Sequence, residues 1–504
     1  MSLNKSLTQL RRKTFDYVVP FEHENHAEYI ISLAANFEKR GKSFLPVVDA
    51  DSLGRELMRK GFDQFVSFNE FVEEDDCNNL NLSEELKRLA GVFSYSQLRD
   101  VIFPEWYTFG EPENVFYWKL VGCLRFYEHV FVKHEISCRF FIQYVGDHVR
   151  YSARRVASYT FSGQTLYCGS TLMFNRLNFT RDPRGVWAIE PNEIQPTNEE
   201  RAFVENWIDK ALQERKVIFP DPLEVFQPKI PGNAALLFLR FLWKNLADRQ
   251  KKPGRTIKYI FRRHLLPYFE ARLARNLYQQ VDLKTTKYIY FPLHYAFDLA
   301  LTSKAKPFVD QFYVIELLHR CLPVGYKLLI KEHPASVGTT SFLKLRKASQ
   351  LPDVTLLPIN ANSHEIIERA EAVAVITSTV GAEALYQAKP LLTFGDTYYT
   401  GQEVTIDVRN LHEIQAKVRE LLSFQPDRES IIKMFVRAYR DSYPINQTKL
   451  VDSHYSGSDK VVSEAFRRVA PTTVDAMIHY CEEKQNKDLV AATSAEPVLE
   501  AELV

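Results

Sequence analysis

The chain has 504 residues, 45% hydrophobic and 25% charged, which is the composition of an ordinary globular protein. A formal net charge of +1 gives no indication of a nucleic-acid or acidic partner, so only local charge is informative. The six cysteines form no CxxC pair and show no metal-ligand spacing, which argues against a disulfide framework or a zinc site. The amino terminus lacks the apolar core of a secretory signal, and we expect a cytoplasmic protein.

The length predicts two or three domains, and the first is expected to span residues 1–180. FDYVVPF is typical of a strand, HAEYIISLAANFEKRG of an amphipathic helix, and SFLPVV of a second strand. This βαβ opening predicts a parallel sheet. Glu24 and His26 follow the first strand, at the edge where open α/β sheets bind ligands. They could equally serve as caps of the helix, and the pattern leaves both readings open.

A further strand, CRFFIQYVGD, is followed by the helical segment HVRYSARRVASYTF and the strand QTLYC. Asp147 lies where this strand ends and the helix begins, so it is a second candidate for the ligand-binding edge. Aspartate is also a common helix N-cap, and for Asp147 taken alone we favour that reading.

Residues 181–283 are rich in proline around one helix, ERAFVENWIDKALQER, and are expected to connect two domains. Between residues 240 and 275 eleven Lys and Arg residues alternate with aromatic residues. Such a segment could meet anionic lipid headgroups or an anionic glycan. We favour solvated helix faces with the aromatic residues packed inward. No motif of a nucleic-acid reader is present, so nucleic acid is not an expected partner.

Polar residues follow the predicted strands of a second α/β domain, residues 284–425. KYIYF ends before His294, YKLLI ends in Lys-Glu-His-Pro, and AVAVI runs into Thr-Ser-Thr-Val-Gly and a helix. The carboxyl ends of parallel strands meet at one edge of a sheet. Hydroxyls and free N–H groups at the start of a helix suit phosphate, and nearby positive charge stabilises it. The pattern therefore predicts a nucleotide-sugar site formed by Lys331, His333, Ser378, Thr379, Gly381 and Glu383.

Each part of this site also has a structural explanation when taken alone. His333 could end a strand, and Ser378 and Thr379 could be plain N-caps. Their joint occurrence with Lys331 and Glu383 on adjacent strands favours a site. Beyond it, residues 426–482 are expected to form C-terminal helices and residues 483–504 a disordered tail.

The motifs YFPLHY, KEHP and TSTVGAEAL with KPLLTFGDTYY, in this order, resemble the capsular polysaccharide biosynthesis proteins. That family belongs with bacterial CMP-sugar-dependent Kdo and sialic acid transferases. The resemblance covers residues 284–400 and is only topological over 15–180. It implies a GT-B-like α/β fold, in which two Rossmann-type domains face a cleft, with a helical linker and C-terminal helices.

The resemblance implies a metal-independent, inverting glycosyltransferase without a cofactor, whose donor is a nucleotide sugar, most often CMP-linked. The acceptor would be a surface polysaccharide or a lipid-linked glycan. His333 would contact the leaving phosphate as hydrogen-bond donor or general acid, beside Ser378 and Thr379. Glu383 would accept hydrogen bonds from the ribose hydroxyls, and the loop from Asn360 would hold the base.

An inverting displacement also needs a general base in the N-terminal half. Asp147 and then Glu24 are the candidates, with His26 behind them. His26, His294 and Asp298 are expected on the acceptor side. The family tends to carry Pro-Glu after the PLHY motif where this chain has Ala-Phe-Asp298, which leaves the role of Asp298 open.

Other functions remain open at this point. A CDP-polyol phosphotransferase of the teichoic-acid type shares the fold and the style of motif. A sugar-nucleotide epimerase is disfavoured because it would need no acceptor. A non-catalytic scaffold of a capsule assembly complex would use the basic segment 240–275, which could also contact the inner membrane peripherally.

Overall fold

The computed structural model describes the following residues: 3–22, 26–49, 51–68, 71, 80–144, 148–170, 173, 176–185, 194–214, 266–295, 298–445 and 459–484. Glu24, Asp147, most of the basic segment and nearly all of the predicted tail lie outside these ranges. No helix of the described ranges is long and apolar enough to cross a membrane.

The N-terminal half is a three-layer α/β unit. Its elements are α1 Leu3–Leu10, β1 Thr14–Phe21, α2 Ala27–Lys39, β2 Phe44–Val48, α3 Asp51–Arg59, β3 Val66–Ser67, α4 Leu82–Val92, α5 Leu98–Phe109, α6 Glu113–Tyr127, β4 Ser137–Tyr144, α7 Val149–Phe161, β5 Ser162–Ser170 and β6 Leu177–Thr180. Helix α8, Asn198–Glu214, follows in the chain and buries Val204, Ile208 and Ala211 in an apolar cluster of the C-terminal half. Strands β1 to β5 pair in parallel, and β6 runs antiparallel to β5.

Both faces of this sheet are buried, because alternate side chains of each strand enter different apolar clusters. Val18 and Leu45 point into the cluster that includes α6 and α7. Tyr17 and Phe44 point into the cluster on the side of α2. This arrangement explains the nearly continuous apolar sequence of β1 and β2.

The C-terminal half is a second α/β unit. Its elements are α9 Leu266–Ala274, β7 Lys287–Pro292, α10 Leu299–Lys304, α11 Gln311–Cys321, β8 Tyr326–Lys331, α12 Phe342–Ser349, β9 Val354–Leu357, α13 Ser363–Arg369, β10 Ala372–Val375, α14 Val380–Tyr386, β11 Leu391–Thr393, β12 Ile406–Asp407, α15 Ile414–Ser423 and α16 Arg428–Arg440. Its strands pair in parallel in the order β12-β11-β10-β7-β8-β9. The prediction of an α/β fold with two parallel-sheet units is confirmed.

The last part of the described chain returns to the N-terminal half. Strand β13, Ser442–Tyr443, pairs antiparallel with β6, and helix α17, Asp459–Ile478, packs along α2. Phe466 and Val474 of α17 are buried in the same apolar cluster as β1 and β2. The sequence predicted helices at 426–482 without this crossing, because an amphipathic pattern does not say which sheet a helix covers.

Candidate nucleotide-binding site

The ends of β7 and β10 are joined by His294, whose side chain is buried. The Thr377 amide donates a hydrogen bond to His294 Nε2 at 3.0 Å. Because Nε2 accepts, the proton lies on Nδ1, which donates to Asp298 Oδ2 at 3.0 Å. Burial works to raise the pKa of Asp298, but the hydrogen bond from His294 holds it below its ordinary value. Both ring nitrogens are thus used inside the C-terminal half, and we assign His294 and Asp298 to the frame of the site instead of the acceptor side.

Two buried groups of opposite charge lie at this edge of the sheet. Lys331 ends β8, and Glu383 is on α14, the helix that follows β10. Lys331 is 9% exposed, and its Nζ donates to Ser363 Oγ at 2.7 Å. Burial raises the pKa of Glu383 to about 7, while the positive charge of Lys331 opposes the shift. Burial raises the pKa of Tyr290 and of Tyr386, and the negative charge of nearby Glu383 adds to both shifts. A buried carboxylate beside a cation is suited to accept hydrogen bonds from ligand hydroxyls.

His333 follows β8 and is half-buried. The Ala335 amide donates to His333 Nδ1 at 3.1 Å, so the proton of the neutral ring lies on Nε2. Burial lowers the pKa of His333 to about 4 against the opposing effect of Asp298. The ring is therefore neutral at pH 7 and offers one N–H. Of the two predicted roles, this geometry favours hydrogen-bond donor over general acid.

The loop between β10 and α14 is held by its own contacts. Ser378 Oγ accepts a hydrogen bond from the Val380 amide at 3.2 Å, and the Tyr399 hydroxyl donates to the Ser378 carbonyl at 2.7 Å. A β-carbon on Gly381 would collide with that same hydroxyl, so glycine is required there for packing. Thr379 makes no capping hydrogen bond through its side chain. The structure thus gives Ser378 and Gly381 structural roles beside their predicted contact with phosphate.

Asn360 lies in an exposed turn after β9. The residue that caps α13 is Asn362, whose side chain accepts from the His364 amide at 3.0 Å. This cap places Ser363 at the start of α13, where it meets Lys331. Ser363 was missed by sequence reasoning, because only packing of α13 against β8 reveals the contact.

Glu332 is a second buried carboxyl group of this site, 1% exposed. The Tyr278 hydroxyl donates to its Oε2, and its Oε1 has no partner among the described residues. Burial raises the pKa of Glu332 to about 7. The ionised form is therefore costly in the folded protein at and above neutral pH.

We expect Glu332→Gln to stabilise the free protein at pH 8 by about 1–3 kcal/mol and to change little at pH 4.5. A raised carboxyl pKa contributes stability that is complete below the unfolded value and is lost as the pH rises through about 7. Thermal unfolding of both proteins across this pH range checks the result. Glu371→Gln, at an exposed position, is the matched control. A destabilised variant at pH 8 would contradict the expectation.

Residues 234–436 match the family model of the capsule polysaccharide biosynthesis proteins. The match covers less than half of the chain and shows that this segment is similar to that family. The capsule-biosynthesis segment contains Lys331, His333 and Glu383 together with the whole β10–α14 loop. The predicted family is confirmed on the half of the chain that carries these motifs.

Protein FixF of Sinorhizobium fredii is similar to this chain, with 26% identity over 161 residues. The match covers 31% of this chain and 38% of FixF, so the chain spans well under half of that relative. Among solved structures, Thermosulfurimonas dismutans KpsC, beta Kdo 2,7 transferase, is 14% identical with a TM-score of 0.32, covering 62% of this chain and 79% of its own. Its beta Kdo 2,4 transferase is 11% identical with a TM-score of 0.35, covering 61% and 85%. Likenesses this weak carry no argument about chemistry.

Opposite the capsule-biosynthesis segment, the N-terminal sheet edge carries a buried charge cluster that sequence reasoning missed. Arg154 of α7 is 2% exposed and pairs with Glu22 at 2.7 Å and with Asp49, the residues that follow β1 and β2. Burial raises the pKa of Asp49 in spite of Arg154. Burial also acts to raise the pKa of Glu22, but there Arg154 prevails and the pKa is lowered. Arg154 therefore pairs with two carboxylates at this edge, and Arg150 lies 3.7 Å from Asp49 as a second cation.

Two further histidines of the N-terminal half are placed by the structure. His148 follows Asp147 in the chain, and its Nδ1 lies 3.1 Å from Glu105 Oε1. Burial would raise the pKa of Glu105, but His148 and Lys119 lower it to about 2. His26 contacts the rings of Phe21 and Phe466 edge-on, at centroid distances of 5.9 and 5.1 Å. The ring of His26 therefore packs between β1 and α17.

Proposed function

We propose that this protein is a glycosyltransferase that moves a sugar from a CMP-linked donor to a surface polysaccharide or a lipid-linked glycan. The observation that carries the proposal is the placement of Lys331 and His333 at the end of β8 and of Glu383 on the helix after β10, the two strands that flank β7 in one parallel sheet. Family membership of residues 234–436 supports a part in capsule polysaccharide synthesis. The choice of CMP among nucleotides rests on the family resemblance alone.

Each of these three residues suits one part of a nucleotide sugar. Glu383 is a buried carboxylate that can accept hydrogen bonds from ribose hydroxyls. Lys331 supplies positive charge in a site of low polarity, where charge acts strongly on a phosphate. His333 offers Nε2–H to the phosphate oxygen, and Thr379 adds a hydroxyl from the adjoining loop.

The proposed reaction is a single displacement that inverts the anomeric carbon. A base in the N-terminal half removes the proton of the acceptor hydroxyl, and Asp147 and Glu24 remain the proposed bases. The hydroxyl oxygen bonds to the anomeric carbon while the bond from that carbon to the phosphate oxygen breaks. The electron pair of the broken bond remains on the phosphate, where Lys331 and His333 stabilise the new charge.

Calorimetric titration with CMP, CDP, UDP and GDP tests the proposal on the wild-type protein and on His333→Ala. We expect selective binding of CMP, weakened about tenfold by loss of the His333 hydrogen bond to phosphate. His412→Ala, at an exposed position of the same half, is the matched control and should bind as the wild type does. Absence of nucleotide binding would overturn the proposal, and preference for UDP or GDP would overturn the choice of donor.

A further inference from the structure

A cleft of about 380 Å³ opens between the two halves. Helices α5 and α7 form the wall on the side of the N-terminal half. The end of α10 and Asp396, in the loop after β11, form the opposite wall. Gly395 packs closely against Thr377 of the β10–α14 loop and against Ala305 beside the cleft, since a β-carbon at position 395 would be too close to both. The lining residue Asp396 thus follows a glycine that packs against the loop of the candidate nucleotide site.

Basic side chains outnumber acidic ones in the lining of this cleft. The charged lining residues are Arg155, Arg184, Lys304, Lys306, Asp100 and Asp396. Both carboxylates already have cationic partners: Lys306 pairs with Asp100 at 2.7 Å across the two halves, and Arg184 pairs with Asp396. The excess positive charge is thus not neutralised by the acidic residues of the lining.

Arg155 is the cation that most needs a partner. It is half-buried on α7, and among the described residues no carboxylate lies within ion-pair distance of its guanidinium. Its polar neighbour is the Tyr95 hydroxyl, with which it forms a hydrogen bond. A partly buried guanidinium without a counter-ion is costly, and its planar donors match a carboxylate or a phosphate. Ser152, Thr302 and Ser303 add hydroxyl groups to the same lining.

We propose that this cleft binds an anionic group, a carboxylate or a phosphate, on the acceptor glycan, and that Arg155 forms the ion pair. The assignment of this group to the acceptor rests on the proposed glycosyltransferase function. The N-terminal wall supplies Arg155, and it lies across the cleft from the sheet that carries Lys331, His333 and Glu383. An acidic donor sugar is the other source of such a group, and the experiment separates the two sources.

Tri-galacturonate is the probe, and maltotriose is the uncharged control of the same length. Calorimetry on the full chain at low ionic strength should detect binding of tri-galacturonate alone, weakened by added salt. Arg155→Gln should weaken it about tenfold, the loss of one charge-assisted hydrogen bond. Arg346→Gln, exposed on α12, is the matched control and should bind as the wild type does. Lys304→Gln is a second variant of the cleft, should Arg155→Gln fail to fold.

Parallel titrations with CMP and CMP-sialic acid assign the source of the anion. If Arg155→Gln weakens CMP-sialic acid but not CMP, and tri-galacturonate does not bind, the group belongs to the donor and the acceptor assignment is overturned. If neither charged ligand responds to Arg155→Gln or Lys304→Gln while CMP still binds, the cleft site is overturned and the proposed function stands. Failure of the wild-type protein to bind CMP would instead overturn the proposed function.

Discussion

Replacing Arg154 by methionine is expected to lower the free energy of unfolding by about 3–5 kcal/mol at pH 7, the cost of breaking a buried ion pair. Arg154 is 2% exposed and neutralises both Glu22 and Asp49. Methionine fills much of the same volume but removes the ion-pair partner of Glu22 and leaves Asp49 only the more distant Arg150, at 3.7 Å. Chemical denaturation of the two proteins measures the difference.

The pH dependence separates charge from packing in this experiment. Burial already raises the pKa of Asp49, and removal of Arg154 should raise it further. Protonation of Asp49 at low pH then relieves the unpaired charge, so the penalty of Arg154→Met should shrink from pH 8 to pH 5. Arg419→Met, at an exposed position of α15, is the matched control and should change stability little. An equal penalty at both pH values would assign the effect to packing.

Replacing His333 by alanine is expected to slow sugar transfer by about 10²–10³-fold, the usual effect of removing one donor to a developing negative charge. The Nε2–H of His333 is the group lost, since Nδ1 is engaged by the Ala335 amide. His333→Gln retains an N–H donor and should recover part of the rate. Transfer assays with a CMP-sugar measure both variants, with His412→Ala as the control.

The same residue gives a test by pH. A pKa of about 4 keeps His333 neutral from pH 6 to pH 8, so its contribution to the rate should stay constant over that range. If His333 instead acted as an imidazolium acid of ordinary pKa, the rate would fall as the pH rises through about 6.5. The difference between the profiles of the wild type and His333→Gln distinguishes the two roles.

The local sequence was sufficient to predict the two α/β units and the strand ends that carry Lys331, His333 and Glu383. Apolar runs bounded by polar residues identify buried parallel strands, and the carboxyl ends of such strands meet at one edge. The sheet order was not predicted: the sequence suggested adjacent strands, whereas β7 lies between β8 and β10, and all three strands end at the same edge.

Contacts between segments far apart in the chain were decided only by the tertiary structure. The hydroxyl of Tyr399 leaves no room for a β-carbon at Gly381, and the Thr377 amide donates to the ring of His294. Arg154 pairs with the residues that follow β1 and β2. The return of β13 and α17 to the N-terminal half is of the same kind. A periodic pattern records which face of an element is buried, whereas the partner of a polar side chain depends on how whole elements pack.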